Sequence, residues 1–295
     1  MTVFVSHADK DRDLTAKLVD LLRLGAGVAH HEIFCSSLSG MNTPNGGYFV
    51  NDILQHLGAA KVVLAVLSEN YFRSQFCVAE VGAGQLLHHT QKSADFYSIL
   101  VPPANFSSSL QGVLFGVQSG KIDERRTLDE MHDRVIKHVA NPPSTTIWND
   151  NRDIFLSAVR PIIERMEAVA LLDRLKITEA VFEPDPTRTY KLKLRVVFNN
   201  ETGKPIKVKG VDWDTGVHGA KLQLPFVSGV LQLWARGRWQ DEDPEISVPT
   251  KGRFRLWVGI DSTEGFKIFK ENDRLGWLKL IITISGYEID WSREI

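Results

Sequence analysis

Residues 70–85 read NYFRSQFCVAEVGAGQ, and Glu80 stands there among small and apolar neighbours. In a helical segment, residues three and four apart share a face. Glu80 then shares its surface with Phe76 and Cys77 before it and with Ala83 and Gly84 after it. None of these pairs with a carboxylate. The ordinary explanation is a solvated carboxylate or one half of a helix ion pair, since glutamate is mostly exposed. Arg73 is the cation two turns back, but Glu69 precedes it by four residues in the order that favours a pair of its own. Glu80 is left with no cation along its helix. A carboxyl held against Phe76 beside a crevice is partly desolvated, which raises its pKa and suits it to chemistry at a sugar.

Other chemistries find less support. GAGVAH (25–30) ends a helical pattern and lacks a third glycine, while GAGQLL (82–87) lies inside one. With no GxGxxG and no GxxxxGK[ST], neither a dinucleotide-binding fingerprint nor a P-loop is present. The histidine pairs His30–His31 and His88–His89 point to different helix faces. HExxH and a cysteine cluster are both absent, so no metal site is expected. Cys35 and Cys77 sit in apolar segments and read as small core residues rather than nucleophiles. GxSxG is missing as well.

The elements that must position Glu80 alternate between strand and helix. Val3 to Ser6 is a short strand, followed by a helix with Leu14, Leu18, Leu21 and Leu22 at helical spacing. EIFCS (32–36) is a second strand, and SLSGMNTPNGG a loop rich in turn residues. A helix near Tyr48–Leu57, the strand KVVLAVL, the helix of Glu80 and the strand FYSILVP follow. GVLFGVQ (112–118) is a weak strand, and Leu128–Val139 an amphipathic helix. Another helical pattern covers about Arg152–Leu175, with Pro161 expected to kink or break it. Such alternation predicts a parallel sheet with helices on both faces, whose ligands sit outside the carboxyl ends of the strands.

Beyond EPDPTRT (183–189) the period changes to strand alternation. Tyr190, Leu192, Leu194, Val196 and Phe198 mark one face of a strand, and Phe254–Ile260 and Leu278–Ile284 repeat the pattern. The expected organisation is an α/β domain over 1–175, a linker over 176–189 and an all-β sandwich over 190–295, loosely immunoglobulin-like and without a disulfide. Aromatic and basic residues mix in LWARGRW (233–239) and RFRLWVG (253–259), which cross-strand packing explains. The 295 residues carry 35 basic and 36 acidic side chains. Neither half is strongly basic, so nucleic acid is not expected as a partner. Two cysteines, no long apolar run and no leader-like opening lead us to expect a cytoplasmic protein with no membrane partner.

FVSHADKD, IFCSSLSGMNTPNGGYF and LSENYFRSQFCVAE occur in the order and at the spacing of the TIR domain in its bacterial form, and residues 1–165 resemble that family. The resemblance implies a flavodoxin-like fold with a five-stranded parallel sheet. It makes the loop after the second strand the counterpart of the BB loop, which in many members mediates self-association and borders the site. Some TIR domains are scaffolds, while others resemble one another in being NAD+ glycohydrolases with a glutamate in a WxxxE-like context. Here that context is FCVAE, so Glu80 takes the catalytic position and Phe76 stands where tryptophan is usual. By the same resemblance Ser6 and His7 line the nicotinamide and ribose site, Ser36 and Ser37 open the loop, and Arg73 holds a basic position. NAD+ is then a substrate, and no cofactor is expected. The implied partners are further copies of the chain, through TIR–TIR contacts, and an unidentified trigger for the β domain. A non-catalytic adaptor is the alternative, and a nucleoside deoxyribosyltransferase-like enzyme a weaker third.

Overall fold

The computed structural model describes residues 3–35, 49–80, 82–83, 94–105, 118–183, 192–214, 227–235, 238–241, 245–260 and 277–294. The chain divides into two compact units, Met1–Glu167 and Ala168–Ile295, each with a hydrophobic core of its own.

The first unit runs β1 (Val3–Ser6), α1 (Arg12–Leu24), β2 (Ile33–Phe34), α2 (Phe49–Ala59), β3 (Val62–Leu67) and α3 (Glu69–Arg73). It continues through a helix α4 over 75–80, β4 (Asp95–Leu100), β5 (Gly120–Lys121), α5 (Arg125–Val135) and α6 (Thr145–Leu172). The strands lie in the order β2-β1-β3-β4-β5, and every pairing is parallel. This is the flavodoxin-like order. All six residues of β3 are buried, as the central strand of a sheet covered on both faces requires. On one face Val3, Val5 and Leu64 join Leu14, Leu18 and Leu22 of α1. On the other, Phe4 and Val63 pack with Ile53 and Leu57 of α2, and Ala65 and Leu67 pack with Tyr71 of α3. Each fully buried leucine or phenylalanine is worth about 1.5–3 kcal/mol over its exposed state. Because side chains alternate along β1, Ser6 faces the side of Phe4, toward α2 and α3.

The fifth strand falls at Gly120–Lys121, just past the expected GVLFGVQ segment, of which 112–117 lie outside the described residues. A Cβ at Gly120 would stand 2.0 Å from Thr127 Oγ1, so glycine is what lets this edge approach α5. Residues 36–47, expected as a loop, also lie outside the described residues. No described helix is long and apolar enough to cross a membrane.

The second unit holds β6 (Leu175–Glu183), β7 (Leu192–Asn200), β8 (Ile206–Asp214), β9 (Val227–Ala235) and β10 (Arg238–Asp241). β11 (Glu245–Val248), β12 (Arg253–Ile260), β13 (Trp277–Ile284) and β14 (Tyr287–Glu294) complete it. Antiparallel sheets β10-β9-β12-β7-β6 and β11-β8-β13-β14 share one core. Val196, Phe198, Phe254 and Leu256 come from the first sheet; Val208, Leu280, Ile282 and Trp291 come from the second. Phe198 stacks on Phe254 at 4.6 Å and meets Trp291 edge-on at 5.9 Å. β6-β7-β12-β9 take the places of strands A-B-E-D and β8-β13-β14 those of C-F-G in an immunoglobulin sandwich, with β10 and β11 added at edges. One sequence expectation is corrected here. Leu175–Glu183, placed almost wholly in the linker, is strand β6. It pairs antiparallel with β7, and the buried Leu175 joins the core.

Pro161, expected to kink or break its helix, does not break it: α6 runs over Thr145–Leu172 with Pro161 inside it. Pro161 itself is exposed, while Phe155, Val159 and Ile163 on either side are buried in the core. Packing of that stripe carries the helix past a residue that cannot donate its backbone hydrogen bond. Pro161→Ala should therefore stabilise the chain, by about 1–3 kcal/mol, seen as a higher urea midpoint with an unchanged slope.

Candidate active site

Three segments bring the chemistry together: the carboxyl end of β1, the short helix α3 and the stretch of α4 that carries Glu80. Ser6 is the last residue of β1 and pairs in register with Ala65. Ser68 caps α3 by accepting from the Tyr71 backbone N–H at 3.0 Å. The Ser68 hydroxyl donates to Asp11, which also accepts from Asn70 Nδ2 at 2.7 Å. Asp11, buried in the turn before α1, thereby ties the segment after β1 to the segment after β3. Ser74 starts α4: its hydroxyl accepts from the Cys77 N–H at 3.3 Å and its carbonyl from the Val78 N–H at 3.1 Å. That cap sets where Glu80 falls.

Glu80 is 8% exposed. Its Oε2 accepts from the Ser6 hydroxyl at 2.6 Å. Ser6 Oγ in turn stands 2.8 Å from the Tyr71 hydroxyl, which donates to the Cys77 carbonyl at 2.9 Å. Tyr71 is fully buried among Ala8, Ala65, Leu67 and Leu100. Among the described residues no cation contacts Glu80. Burial pushes its carboxyl up to about 7, with the Ser6 hydrogen bond opposing the shift. Burial also raises Tyr71 and Cys77 and lowers His7. At neutral pH the site is a neutral imidazole, two neutral acids and a carboxyl near its midpoint.

Of the residues expected at the site, Ser6 and Glu80 are joined directly. This corrects the view of Glu80 as a carboxylate with no side-chain partner. Helix spacing displays only neighbours on the same helix, and the partner lies on β1. His7 follows Ser6; its Nδ1 stands 3.4 Å from the Val5 carbonyl and 3.7 Å from Cys35 Sγ. Phe76 lies one turn before Glu80 and is 38% exposed. Arg73 pairs with Glu69 at 3.6 Å, as the (i, i+4) spacing predicts. Ser36 and Ser37 lie outside the described residues. Sequence reasoning missed Tyr71, whose only signal is a hydroxyl on a ring beside the aromatic Phe72. Cys35 and Cys77 are buried as expected. Among the described residues no group of three His, Cys, Asp or Glu could hold a metal ion. A groove of about 600 Å³ runs beside α6, lined by Asp123, Arg125, Asp153, Arg160 and Glu164 among others; Ser6, Tyr71 and Glu80 do not line it.

Residues 3–130 match the family model described as TIR domain. A curated relative, the uncharacterized protein YddK of Bacillus subtilis (strain 168), is 28% identical over 112 residues, 38% of this chain and 39% of that protein. The chain thus spans about two fifths of the length of that relative. Among solved structures, the TIR domain of the Toll-related receptor TRR-2 from Hydra magnipapillata is 16% identical. That match covers 47% of this chain and 98% of the other, with a TM-score of 0.36. The TIR domains of the activated Roq1 resistosome, which directly recognizes the pathogen effector XopQ, are 14% identical. They cover 56% of this chain and 98% of the other, with a TM-score of 0.31.

The displaced pKa of Glu80 has a consequence for stability. Its ordinary value is 4.5 and its folded value about 7, so between these pH values the folded state holds a proton that the unfolded state has lost. This group therefore removes stability as pH rises from about 4.5 to 7, and the full loss remains above 7. The shift corresponds to about 3 kcal/mol. Glu80→Gln should match wild type near pH 4 and exceed it by up to about 3 kcal/mol near pH 8, read from denaturant midpoints at the two pH values.

Proposed function

We propose that this chain, whose residues 3–130 are a TIR domain, cleaves the nicotinamide–ribose bond of NAD+ with Glu80 as the catalytic carboxyl. The supporting observation is a desolvated carboxyl at the carboxyl end of a parallel sheet, held by Ser6 and contacted by no described cation. It occupies the position, within FCVAE, that the NAD+-cleaving TIR domains give to their glutamate.

The chemistry follows from the charges. Breaking this bond leaves positive charge on the ribose, as in an oxocarbenium ion, while nicotinamide departs neutral and needs no strong acid. An ionised Glu80 beside the ribose hydroxyls stabilises that developing charge, and more strongly in a site that excludes water. One carboxylate suffices, unlike the paired carboxyls of most glycosidases. Ser6 fixes the carboxyl by its hydrogen bond, His7 lines the site as a neutral group, and Phe76 offers a partly exposed aromatic wall. Attack by water yields ADP-ribose, and attack by an adenine nitrogen or a ribose hydroxyl yields a cyclic isomer. Activation belongs to assembly in this reading: TIR–TIR contacts between copies complete the site, and the β-sandwich receives the trigger.

Nicotinamide release from NAD+, followed over a series of protein concentrations, tests the proposal. Wild type should release nicotinamide with a rate per molecule that rises with concentration. Glu80→Gln should lose roughly 10²-fold or more of it while keeping the fold by circular dichroism. Because the ionised carboxyl does the work, kcat/KM should climb as pH rises through about 7 and then level off. Full activity in Glu80→Gln overturns the assignment. No release at any concentration leaves a TIR module acting through contacts alone, and base release from deoxynucleosides instead points to glycosyl transfer.

A further inference from the structure

A count of protons along the buried chain at Glu80 leads further. Glu80 Oε2, Ser6 Oγ, the Tyr71 hydroxyl and the Cys77 carbonyl follow one another at 2.6, 2.8 and 2.9 Å. Three contacts of hydrogen-bond length need three protons. The Cys77 carbonyl can only accept, and so can an ionised carboxylate. The two hydroxyls bring one proton each. With Glu80 ionised, two acceptor-only ends compete for two protons, and one of the three bonds must be lost. If Ser6 donates to Glu80 and Tyr71 to Cys77, the contact between the two hydroxyl oxygens holds no proton. If Tyr71 turns to Ser6, the Cys77 carbonyl loses its donor. With Glu80 protonated, all three bonds form in one direction, from Glu80 to Ser6 to Tyr71 to Cys77.

We infer that Tyr71 is a positioning residue which, acting through Ser6, holds Glu80 as a neutral acid in the resting site. The surroundings agree. Just after β1, His7 is kept neutral by burial. The turn before α1 places Asp11 under Ser68 and Asn70. On α3, Arg73 pairs with Glu69 and Tyr71 stays protonated, and on α4 the Cys77 thiol is raised by burial and by Glu80 itself. Among the described residues no positive charge reaches the carboxyl to ionise it. A ligand hydroxyl that donates to Glu80 would give the carboxylate a donor from outside the chain, so that Ser6 can turn to Tyr71 and Tyr71 to Cys77. The Glu80–Ser6 contact is then the one without a proton, and the carboxyl proton leaves to solvent. Ligands bearing hydroxyls would then switch the site to its ionised form. The inference concerns the proton on Glu80 and does not require that NAD+ be cleaved.

The full-length protein labelled with carboxyl-¹³C glutamate tests it directly. The Glu80 resonance is assigned by its absence in Glu80→Gln, and its midpoint is followed by NMR as pH is varied. Wild type should titrate near 7. Tyr71→Phe, which keeps the ring, frees the Ser6 hydroxyl to serve the carboxylate and should lower the midpoint by about half to one unit. Ser6→Ala should raise it. The deciding measurement is the double variant. If Tyr71 acts through Ser6, adding Tyr71→Phe to Ser6→Ala should leave the midpoint unmoved. A downward shift that persists in the Ser6→Ala background means that the phenylalanine merely admits water, and overturns the inference. An unchanged or raised midpoint in Tyr71→Phe alone overturns it too. Should Tyr71→Phe fail to fold, wild type decides: the infrared band of a protonated carboxyl, lost in Glu80→Gln, should be present at neutral pH. Its absence would falsify the inference.

Discussion

The bond from Ser6 to Glu80 joins positions 74 residues apart, and the architecture of the first unit can be understood from what that bond demands. A carboxyl that is 8% exposed and has no described cation beside it must be neutral, hydrogen-bonded or both. Meeting that demand requires the end of β1 and Glu80 of α4 to face each other at fixed separation. The sheet order sets the first, because β1 lies directly beside β3, and the helices after β3 start from that neighbouring strand. The Ser74 cap sets the second by fixing where α4 begins. Asp11 then locks the segment after β1 to the Ser68 cap of α3. One local cap and one bond across 57 residues thus together hold the contact between Ser6 and Glu80.

Tyr71 joins packing to chemistry. Its ring is fully buried against Ala65, Leu67 and Leu100, the contacts expected of an apolar core residue. Its hydroxyl, buried with it, must find partners, and it finds Ser6 and the Cys77 carbonyl. A phenylalanine would satisfy the core equally well. The hydroxyl therefore has its use at the site, where it leaves the proton count of the chain dependent on Glu80. Rigid burial of the ring also keeps that hydroxyl from turning to solvent, which a surface tyrosine could do.

How much of this is legible in the sequence depends on the range of each interaction. The parallel sheet shows through because strand and helix periods alternate locally, and Glu80 is conspicuous because its helix neighbours are apolar. The Arg73–Glu69 pair follows from spacing alone. Ser6 as the partner of Glu80 is invisible to any local pattern, since nothing within either segment refers to the other. Tyr71 is hidden for a different reason, because its aromatic ring already fits the apolar pattern. The linker expectation over 176–189 rests on EPDPTRT, a stretch that begins only at the last residue of Leu175–Glu183 and so says nothing about the strand before it. At Pro161 a strong local signal does not end the helix, because the buried stripe of Phe155, Val159 and Ile163 carries it on.

The raised pKa of Glu80 and the stability of the first unit are two views of one free energy. A carboxyl moved from 4.5 to about 7 is one the fold holds at a disadvantage whenever it is ionised. A glutamine there would remove the disadvantage and keep a hydrogen-bonding group for Ser6. A site evolved only for stability would therefore not place a carboxyl in this position. The cap at Ser74, the lock at Asp11 and the buried ring of Tyr71 all stabilise the surroundings of a residue that is itself destabilising above its midpoint. Local strain offset by neighbouring order is the pattern expected where a group is retained for its reactivity. In this unit Glu80 meets that description by burial, by the absence of a described counter-charge and by the direction of its titration at once.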